Sequence, residues 1–511
     1  MASFNSVHDE EYVRKIIADW KMTPATLAYK LSRGNWIAAK HLMYISAKVA
    51  KAIQRGNGRI IISAPPRHGK SQLVSIYTPT WVLERFPQHR TMLTAYGADL
   101  AEGFSRQVRD IFTDKENHGL LTTRVRRDAS RAAAFLTEQD GGMYAVGLGG
   151  AITGRGADVL LIDDYIKEIK EALSPAYRDY VWNWFVTTAF TRLEPNGTCI
   201  IIATRWHSDD LIGRILTNFP GQWEYIEIPA IADIKPGTLD LFGRENGEAL
   251  FPERYPIDKL EEMKGVLGTP FFSALYQQKP IDETAKLTDG QWLKILTTLP
   301  PQLYTEAKWG RTWDLAATEG GGDYTVGTRA AYDKSNLSFY IDNIVRGQFS
   351  PKEAEDKVRA TALADGTGCT VYIEQEPGAS GKALVEHYQR TVLPEFKVES
   401  VPVVTNKLVR AQPFMAAAEA GKVFLIAGAW NEPFIREFDA FPSGAFDDQV
   451  DTASASYSKL SGRLLFSASW GRSTSKPPSK TQNALELRKA QFKMASETGS
   501  GRLRGATFGR R

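Results

Sequence analysis

The chain has 511 residues, a formal net charge of +4, and an ordinary globular balance of 43% hydrophobic and 24% charged residues. That length gives room for two to four domains with cores of their own, and the small net charge by itself says little about nucleic acid. No run of about 18 uninterrupted apolar residues occurs, which argues against a membrane span, and Met1 to Asp9 has no secretion-signal character.

In chain order, residues 1–45 read as helical, with Tyr12, Ile16, Ile17 and Trp20 at helical spacing. A buried strand follows at Arg59 to Ser63, then a helical stretch, a strand at Arg90 to Ala95 and a helix around Asp99 to Phe112. Further strands are expected at Val159 to Ile162 and Thr198 to Ala203. Strands alternating with helices predict an α/β unit with a mostly parallel sheet covered on both faces, assigned to residues 46–265. A proline-punctuated stretch from Pro220 to Pro280 reads as loop-rich, and residues 266–305 are expected to form a linker. A second set of strands begins near Lys308, at Arg311 to Trp313, Thr325 to Tyr332, Ser338 to Val345 and Thr370 to Ile373, in a unit assigned to 306–465. The two cysteines, Cys199 and Cys369, each lie in or beside an apolar run, so buried reduced thiols in a reducing compartment are expected. From Phe466 to Arg511 there are ten Lys or Arg against two Glu, in a Ser- and Gly-rich context. This basic tail, 466–511, cannot bury enough apolar surface to fold by itself. It is either solvated or an arm for DNA or an acidic protein surface.

The sharpest chemical signal is Ala64-Pro65-Pro66-Arg67-His68-Gly69-Lys70-Ser71, between an isoleucine-rich strand and a helical pattern. Phosphate-binding loops need that context, because the amides of the loop and the new helix end point at phosphate oxygens. Pro66, Arg67, His68, Gly69, Lys70, Ser71 and Gln72 are therefore expected to bind ATP. Lys70 supplies a charge to the β- and γ-phosphates, and Ser71 a hydroxyl to Mg²⁺. Ala64 stands where such loops usually begin with Gly. About 90 residues on, Val159-Leu160-Leu161-Ile162 ends in Asp163 and Asp164. Asp163 is expected to hold Mg²⁺ and Asp164 to polarise the attacking water. Arg155, between Gly154 and Gly156, is a candidate arginine finger, with a plain surface turn as the alternative. Thr204 and Arg205, at the end of another strand, are candidates for coupling hydrolysis to movement.

The second half has acids at strand ends instead of a phosphate loop. Asp314 follows Trp313, Glu374 and Glu376 follow Ile373, and Asp447, Asp448 and Asp451 cluster near one helix start. Asp448 and Asp451 are one turn apart if a helix begins there. Carboxylates gathered from separate elements repel and call for cations, and two Mg²⁺ or Mn²⁺ ions suit phosphodiester hydrolysis. The seven histidines show no zinc spacing.

Together, Pro65 to Ser71, Leu161 to Asp164, Ala203-Thr204-Arg205-Trp206-His207, Phe272 to Pro280, Trp313-Asp314 and Asp447 to Asp451 resemble the large terminase subunits of tailed bacteriophages, over about residues 45 to 460. The resemblance implies an additional-strand, RecA-like P-loop ATPase domain followed by an RNase H-like nuclease domain. It implies ATP-driven translocation of double-stranded DNA into a procapsid by a ring of five subunits docked on a portal protein. It also implies endonuclease cuts that start and end packaging, with a small terminase subunit helping to select the DNA, in the host cytoplasm. By this likeness Lys70, Ser71 and Asp163 bind MgATP, and Asp164 is the catalytic acid where many relatives carry Glu. Arg155 would act on the neighbouring subunit. Asp314, Glu374 and Asp448 match the nuclease metal ligands, with Glu376, Asp447 and Asp451 as alternatives. Two other readings compete. A repair helicase with a fused nuclease would need a second motor lobe. An NTPase whose second half only binds a partner would tolerate loss of Asp314.

Overall fold

A computed structural model of the chain describes residues 19–150, 154–235, 237–282, 286–316, 324–403, 407–442, 444 and 446–462. Tyr12, Ile16 and Ile17 of the expected N-terminal helix, and the basic tail from 466 on, lie outside them.

Two sheets organise the described residues. The first contains β1 (Arg59–Ser63), β2 (Arg90–Ala95), β3 (Val125–Ser130), β4 (Ala134–Thr137), β5 (Gly142–Gly147), β6 (Ala157–Asp163), β7 (Leu193–Ala203) and β8 (Glu224–Glu227), in the order β3-β4-β5-β2-β6-β7-β1-β8. From β5 to β8 all pairings are parallel, while β3 and β4 add an antiparallel ribbon at one edge. The central strands carry unbroken apolar runs, Ile60-Ile61-Ile62, Leu160-Leu161-Ile162 and Ile200-Ile201-Ile202, all buried. Burial on both faces removes any need for alternation, and β-branched side chains suit such strands. Helix Lys40–Arg55 covers one face through Leu42, Ile45, Val49 and Ile53, and stops at Gly56, whose φ of 74° a side chain would resist.

β7 lies between the strand that feeds the phosphate loop, β1, and the strand that ends in paired acids, β6. That interposed strand defines the additional-strand class of P-loop sheets, in agreement with the expected fold. Its effect is physical. It spaces the acids away from the loop by one strand and brings the end of β7 between them.

The second sheet contains β9 (Lys294–Leu296), β10 (Lys308–Asp314), β11 (Thr325–Asp333), β12 (Ser338–Gly347), β13 (Thr370–Gln375), β14 (Val398–Pro402) and β15 (Val423–Ile426). Its order is β14-β13-β10-β11-β12-β15-β9. β10, β11 and β12 form an antiparallel meander, and β13 and β14 add in parallel beyond β10. This is the RNase H-like arrangement, lengthened by β15 and β9. Helix Asp448–Ser461 is packed onto β10 and β11 by small side chains, which let it approach closely. Thr452 Oγ1 lies 2.7 Å from Thr328 Oγ1, and Ser456 Oγ donates to Thr312 Oγ1 at 2.7 Å.

Several elements differ from expectation. The Pro220 to Pro280 region is not simply loop, since it contains β8 and helices Ile257–Leu267 and Thr269–Leu275. The stretch expected as a linker donates β9 to the edge of the second sheet, against β15. The Gln277 amide clips both backbone groups of Ile231, accepting from its N at 2.9 Å and donating to its O at 2.9 Å. Gln412 Nε2, on helix Lys407–Glu419, donates to the carbonyls of Val266 and Leu267 at 3.0 and 2.7 Å, and Glu419 Oε2 accepts from Thr269 N at 2.7 Å. Both cysteines are buried and free.

Candidate functional site

The first site lies at the carboxyl ends of β1, β6 and β7, where parallel strands of an α/β sheet leave a crevice. Leaving β1, the chain turns through Arg67, with φ 63°, and Gly69, with φ 86°. A Cβ on Gly69 would come within 2.9 Å of Leu42 Cδ1. Two buried histidines brace this turn from behind. His41 Nε2 donates to the carbonyl of His68 at 2.8 Å, and His68 Nδ1 donates to the carbonyl of Pro66 at 2.8 Å. The His68 ring stacks on Tyr255 at 4.8 Å. Burial pulls His41 down to about 4 and His68 to about 3, so both rings are neutral at physiological pH. His68, expected among the ATP-binding residues, instead has its ring at the back of the loop. Arg67 is exposed at its crown.

Lys70 and Ser71 open the helix beyond the turn. The Lys70 ammonium donates to the hydroxyl of Thr204 and lies 3.4 Å from Asp164 Oδ1. Ser71 Oγ donates to Asp163 Oδ1 at 3.0 Å, and Ser75 Oγ, one turn later, to Asp163 Oδ2 at 2.5 Å. Asp163 is buried. Desolvation, and then the charge of Asp164, push its carboxyl up to about 7. A doubly charged cation would reverse that penalty, so the acid and the two hydroxyls fit Mg²⁺. Asp164 adopts φ 45°, a conformation Asp tolerates better than most residues. Its Oδ1 also accepts from Thr204 N at 3.1 Å. Beside Gly69 and Gln72 opens a cavity of about 300 Å³ whose walls include Trp36, Ile37, Tyr77, Phe251 and Arg254.

The Thr204-Arg205 pair divides in two. Thr204 faces the loop and joins Lys70 to the acids. Arg205 turns away into a buried ion pair with Asp210, Nε to Oδ2 at 2.7 Å, and its backbone N donates to Gln278 Oε1 at 3.3 Å. Arg205→Ala would strand Asp210 as a lone buried charge, at a cost of roughly 3–5 kcal/mol. We expect a melting temperature lower by several degrees in thermal denaturation, and an unchanged value would contradict the buried pair. Arg155 stands at the opposite end of β6 from Asp163, exposed, with its guanidinium 4.4 Å from the centre of the Tyr144 ring.

The second site forms around the end of β10. The parallel pairing of Trp313 with Ile373 sets Asp314 beside Glu374 on β13. Helix Asp448–Ser461 starts at Asp448, and the carboxylate of Glu437 fixes that start by accepting from Gln449 N at 2.6 Å and Val450 N at 3.1 Å. Asp448 and Asp451 are both buried on the first turn. Burial, then the charges of Glu374, Asp451 and Asp448, raise Asp314 to about 7. Burial raises Asp451 to about 6 against the pull of Arg410 and Lys407, and raises Glu374 as well. Glu376 is exposed beyond β13, and Asp447 pairs with Lys407 at 2.7 Å. Glu374 Oε1 and Asp451 Oδ1 are buried without a hydrogen-bond partner. Such hard oxygen donors fit Mg²⁺ or Mn²⁺. Among the described residues, however, no three acids converge on one point at ligand distance, and Arg410 lies 3.2 Å from both Glu374 and Asp451. Arg410, Lys407, Ser75 and His41 were not singled out from the sequence, and for three of them the sequence holds no signal. Ser75 alone carried a signal, at i+4 from Ser71 on a helix.

A phosphate-binding loop facing paired acids across an interposed strand, joined to an RNase H-like sheet edged with carboxylates, defines a P-loop nucleotide hydrolase fused to a nuclease. The family model described as the N-terminal part of T4-like terminase large subunits matches residues 61–309, and the terminase RNase H-like domain model matches 311–460. The chain belongs to the large terminase subunits, the ATPase–nuclease enzymes of phage DNA packaging. Family membership rests on these two matches. Among solved structures, the large terminase of a thermophilic bacteriophage is 10% identical with a TM-score of 0.48, covering 81% of this chain and 98% of its own. The HK97 bacteriophage large terminase is 10% identical with a TM-score of 0.32, covering 81% and 93%. The bacteriophage SPP1 large terminase nuclease domain with bound Mn is 14% identical with a TM-score of 0.25, covering 34% and 98%. No curated protein sequence matches. Among the described residues no helix is long and apolar enough to cross a membrane.

Proposed function

We propose that the two sites divide the work of a packaging motor between ATP hydrolysis at the first sheet and DNA cleavage at the second. ATP lies with its phosphates over Gly69, Lys70 and Ser71 and its base in the cavity beside Gln72, whose wall includes Trp36 and Tyr77. Ser71 and Asp163 hold Mg²⁺, and Lys70 binds the β- and γ-phosphates. Asp164 takes the proton of the attacking water. Thr204, bonded to both Lys70 and Asp164, senses whether the γ-phosphate is present. The observation that carries this reading is the Lys70–Thr204–Asp164 contact across the interposed strand, which links phosphate, water and the end of β7 in one hydrogen-bonded unit.

At the second site Asp314, Glu374 and Asp448, with Asp451 beside them, hold the metal ions. When bound, two divalent ions activate water and stabilise the leaving oxygen of a phosphodiester. The chain's own acids orient those ions. Double-stranded DNA, a portal protein, a small terminase subunit and a procapsid are the partners, in a five-subunit ring in the host cytoplasm. DNA contacts go mainly to phosphates, so affinity falls steeply with salt.

Arg155, exposed before the start of β6, acts on the neighbouring subunit's nucleotide. In the DNA-bound assembly, Lys70→Ala and Arg155→Ala are each expected to lose ATP hydrolysis by roughly 10³-fold or more. Mixing the two variants should restore part of it, because some interfaces then pair an intact loop with an intact arginine. Full activity in Arg155→Ala would end the finger assignment, and full activity in Lys70→Ala would end the ATPase assignment of this loop.

A further inference from the structure

The carboxylates of the second site already hold a cation, and the chain supplies it. Arg410, on helix Lys407–Glu419, donates from Nη1 to Glu374 Oε2 at 3.2 Å and sets Nη2 3.2 Å from Asp451 Oδ2. Its side chain is only 11% exposed. Glu374 comes from β13 and Asp451 from helix Asp448–Ser461, so one guanidinium joins the two elements that carry the acids. One turn earlier Lys407 reaches Asp447 at 2.7 Å and Asp451 at 3.4 Å. A planar five-donor fork suits two carboxylates at once. The other oxygens of the same two acids, Glu374 Oε1 and Asp451 Oδ1, are buried with no partner. The acids therefore have spare ligand capacity, while a fixed positive charge stands among them. That charge repels a divalent ion in the same low-dielectric pocket. The backbone under Arg410 is held, since Gln412 and Glu419 of the same helix bind the 266–269 backbone. The long side chain is left as the part that can swing.

We propose that Arg410 is the built-in counter-cation of the nuclease centre: it neutralises Glu374 and Asp451 before metal arrives, and a divalent cation binds by displacing it. This rests on the reading of these carboxylates as the metal site. Arg410 is a positioning residue, which sets the metal affinity and keeps the empty acids from driving their elements apart.

The test is a Mn²⁺ titration of the full chain without nucleotide, with free Mn²⁺ read by electron paramagnetic resonance. Arg410→Gln is expected to bind Mn²⁺ roughly tenfold tighter than wild type or better, and Arg410→Lys to stay within about threefold of it. In EDTA, Arg410→Gln should melt below wild type and recover with Mn²⁺. Equal or weaker Mn²⁺ binding by Arg410→Gln overturns the proposal. Should Arg410→Gln not fold, Lys407→Gln, which removes the exposed cation from the same Asp451, is expected to tighten binding about threefold. No tightening there overturns the proposal too. Asp314→Asn and Glu374→Gln test the underlying reading separately. If both bind Mn²⁺ like wild type, the acids are not the metal centre, whatever Arg410 does.

Discussion

Asp314→Asn is expected to lower metal-dependent cleavage of plasmid DNA by a hundred- to a thousandfold or so, with ATP hydrolysis unchanged. The two activities separate because Asp314 belongs to the second sheet and touches nothing in the phosphate loop. A second consequence runs the other way, on stability. The folded Asp314 carboxyl keeps its proton up to about 7, because it is buried among Glu374, Asp451 and Asp448. An unfolded Asp releases it near 3.9. Folding thus takes up a proton between those values, and this residue's contribution to stability falls as pH rises from about 4 to 7. At pH 8 without metal, the ionised side chain is a net cost, only partly offset by Arg410. Asp314→Asn should therefore raise the melting temperature in EDTA at pH 8, and the gain should shrink toward pH 5. With Mn²⁺ present the order should reverse, since only the wild type gains the bound ion. Cleavage at the wild-type rate would sink the nuclease assignment. A lower melting temperature in EDTA would show that Asp314 is structural and not a strained functional acid.

The strong periodic elements were legible because single-strand physics settles them. Ile60 to Ile62 and Leu160 to Ile162 can only be central strands once a phosphate loop and paired acids follow them. β3 and β4 were not legible. Val125 to Ser130 contains Arg126, Arg127 and Asp128, and forms a strand only because it pairs at a sheet edge. The proline-spaced stretch misled for a related reason. Pro256 and Pro270 sit where they start helices Ile257–Leu267 and Thr269–Leu275, so they punctuate the segment without making it loop. At the sites, residues adjacent in sequence were found and those brought in by packing were not. Lys70, Ser71, Asp163 and Asp164 announce themselves locally. His41 contacts the loop carbonyl from 27 residues upstream, and Arg410 meets Glu374 across 36 residues. Nothing in the local sequence distinguishes that arginine, only 11% exposed, from one on an exposed helix face. The split between Thr204 and Arg205 was also hidden, because adjacent residues at a strand end face opposite ways and only the sheet shows which way is which.

Asp164→Asn is the variant that isolates the chemistry of hydrolysis from nucleotide binding. Asp164 holds φ 45°, and Asn adopts that backbone as readily as Asp, so the fold and the Thr204 N contact should survive the exchange. What disappears is the negative charge 3.4 Å from Lys70 and the capacity to accept a proton from water. The turnover rate is then expected to fall by roughly 10² to 10⁴, the range for loss of a general base, while KM for ATP stays within a few-fold. Asp164→Glu makes the complementary case. Its longer side chain keeps the charge, yet Glu is less at ease at positive φ, so partial activity with a lower melting temperature is expected. Steady-state ATPase assays on both variants, with ADP affinity measured alongside, decide the matter. If Asp164→Asn raised KM while leaving turnover intact, Asp164 would be a binding residue. The base would then have to be sought among groups that reach the γ-phosphate from the neighbouring subunit.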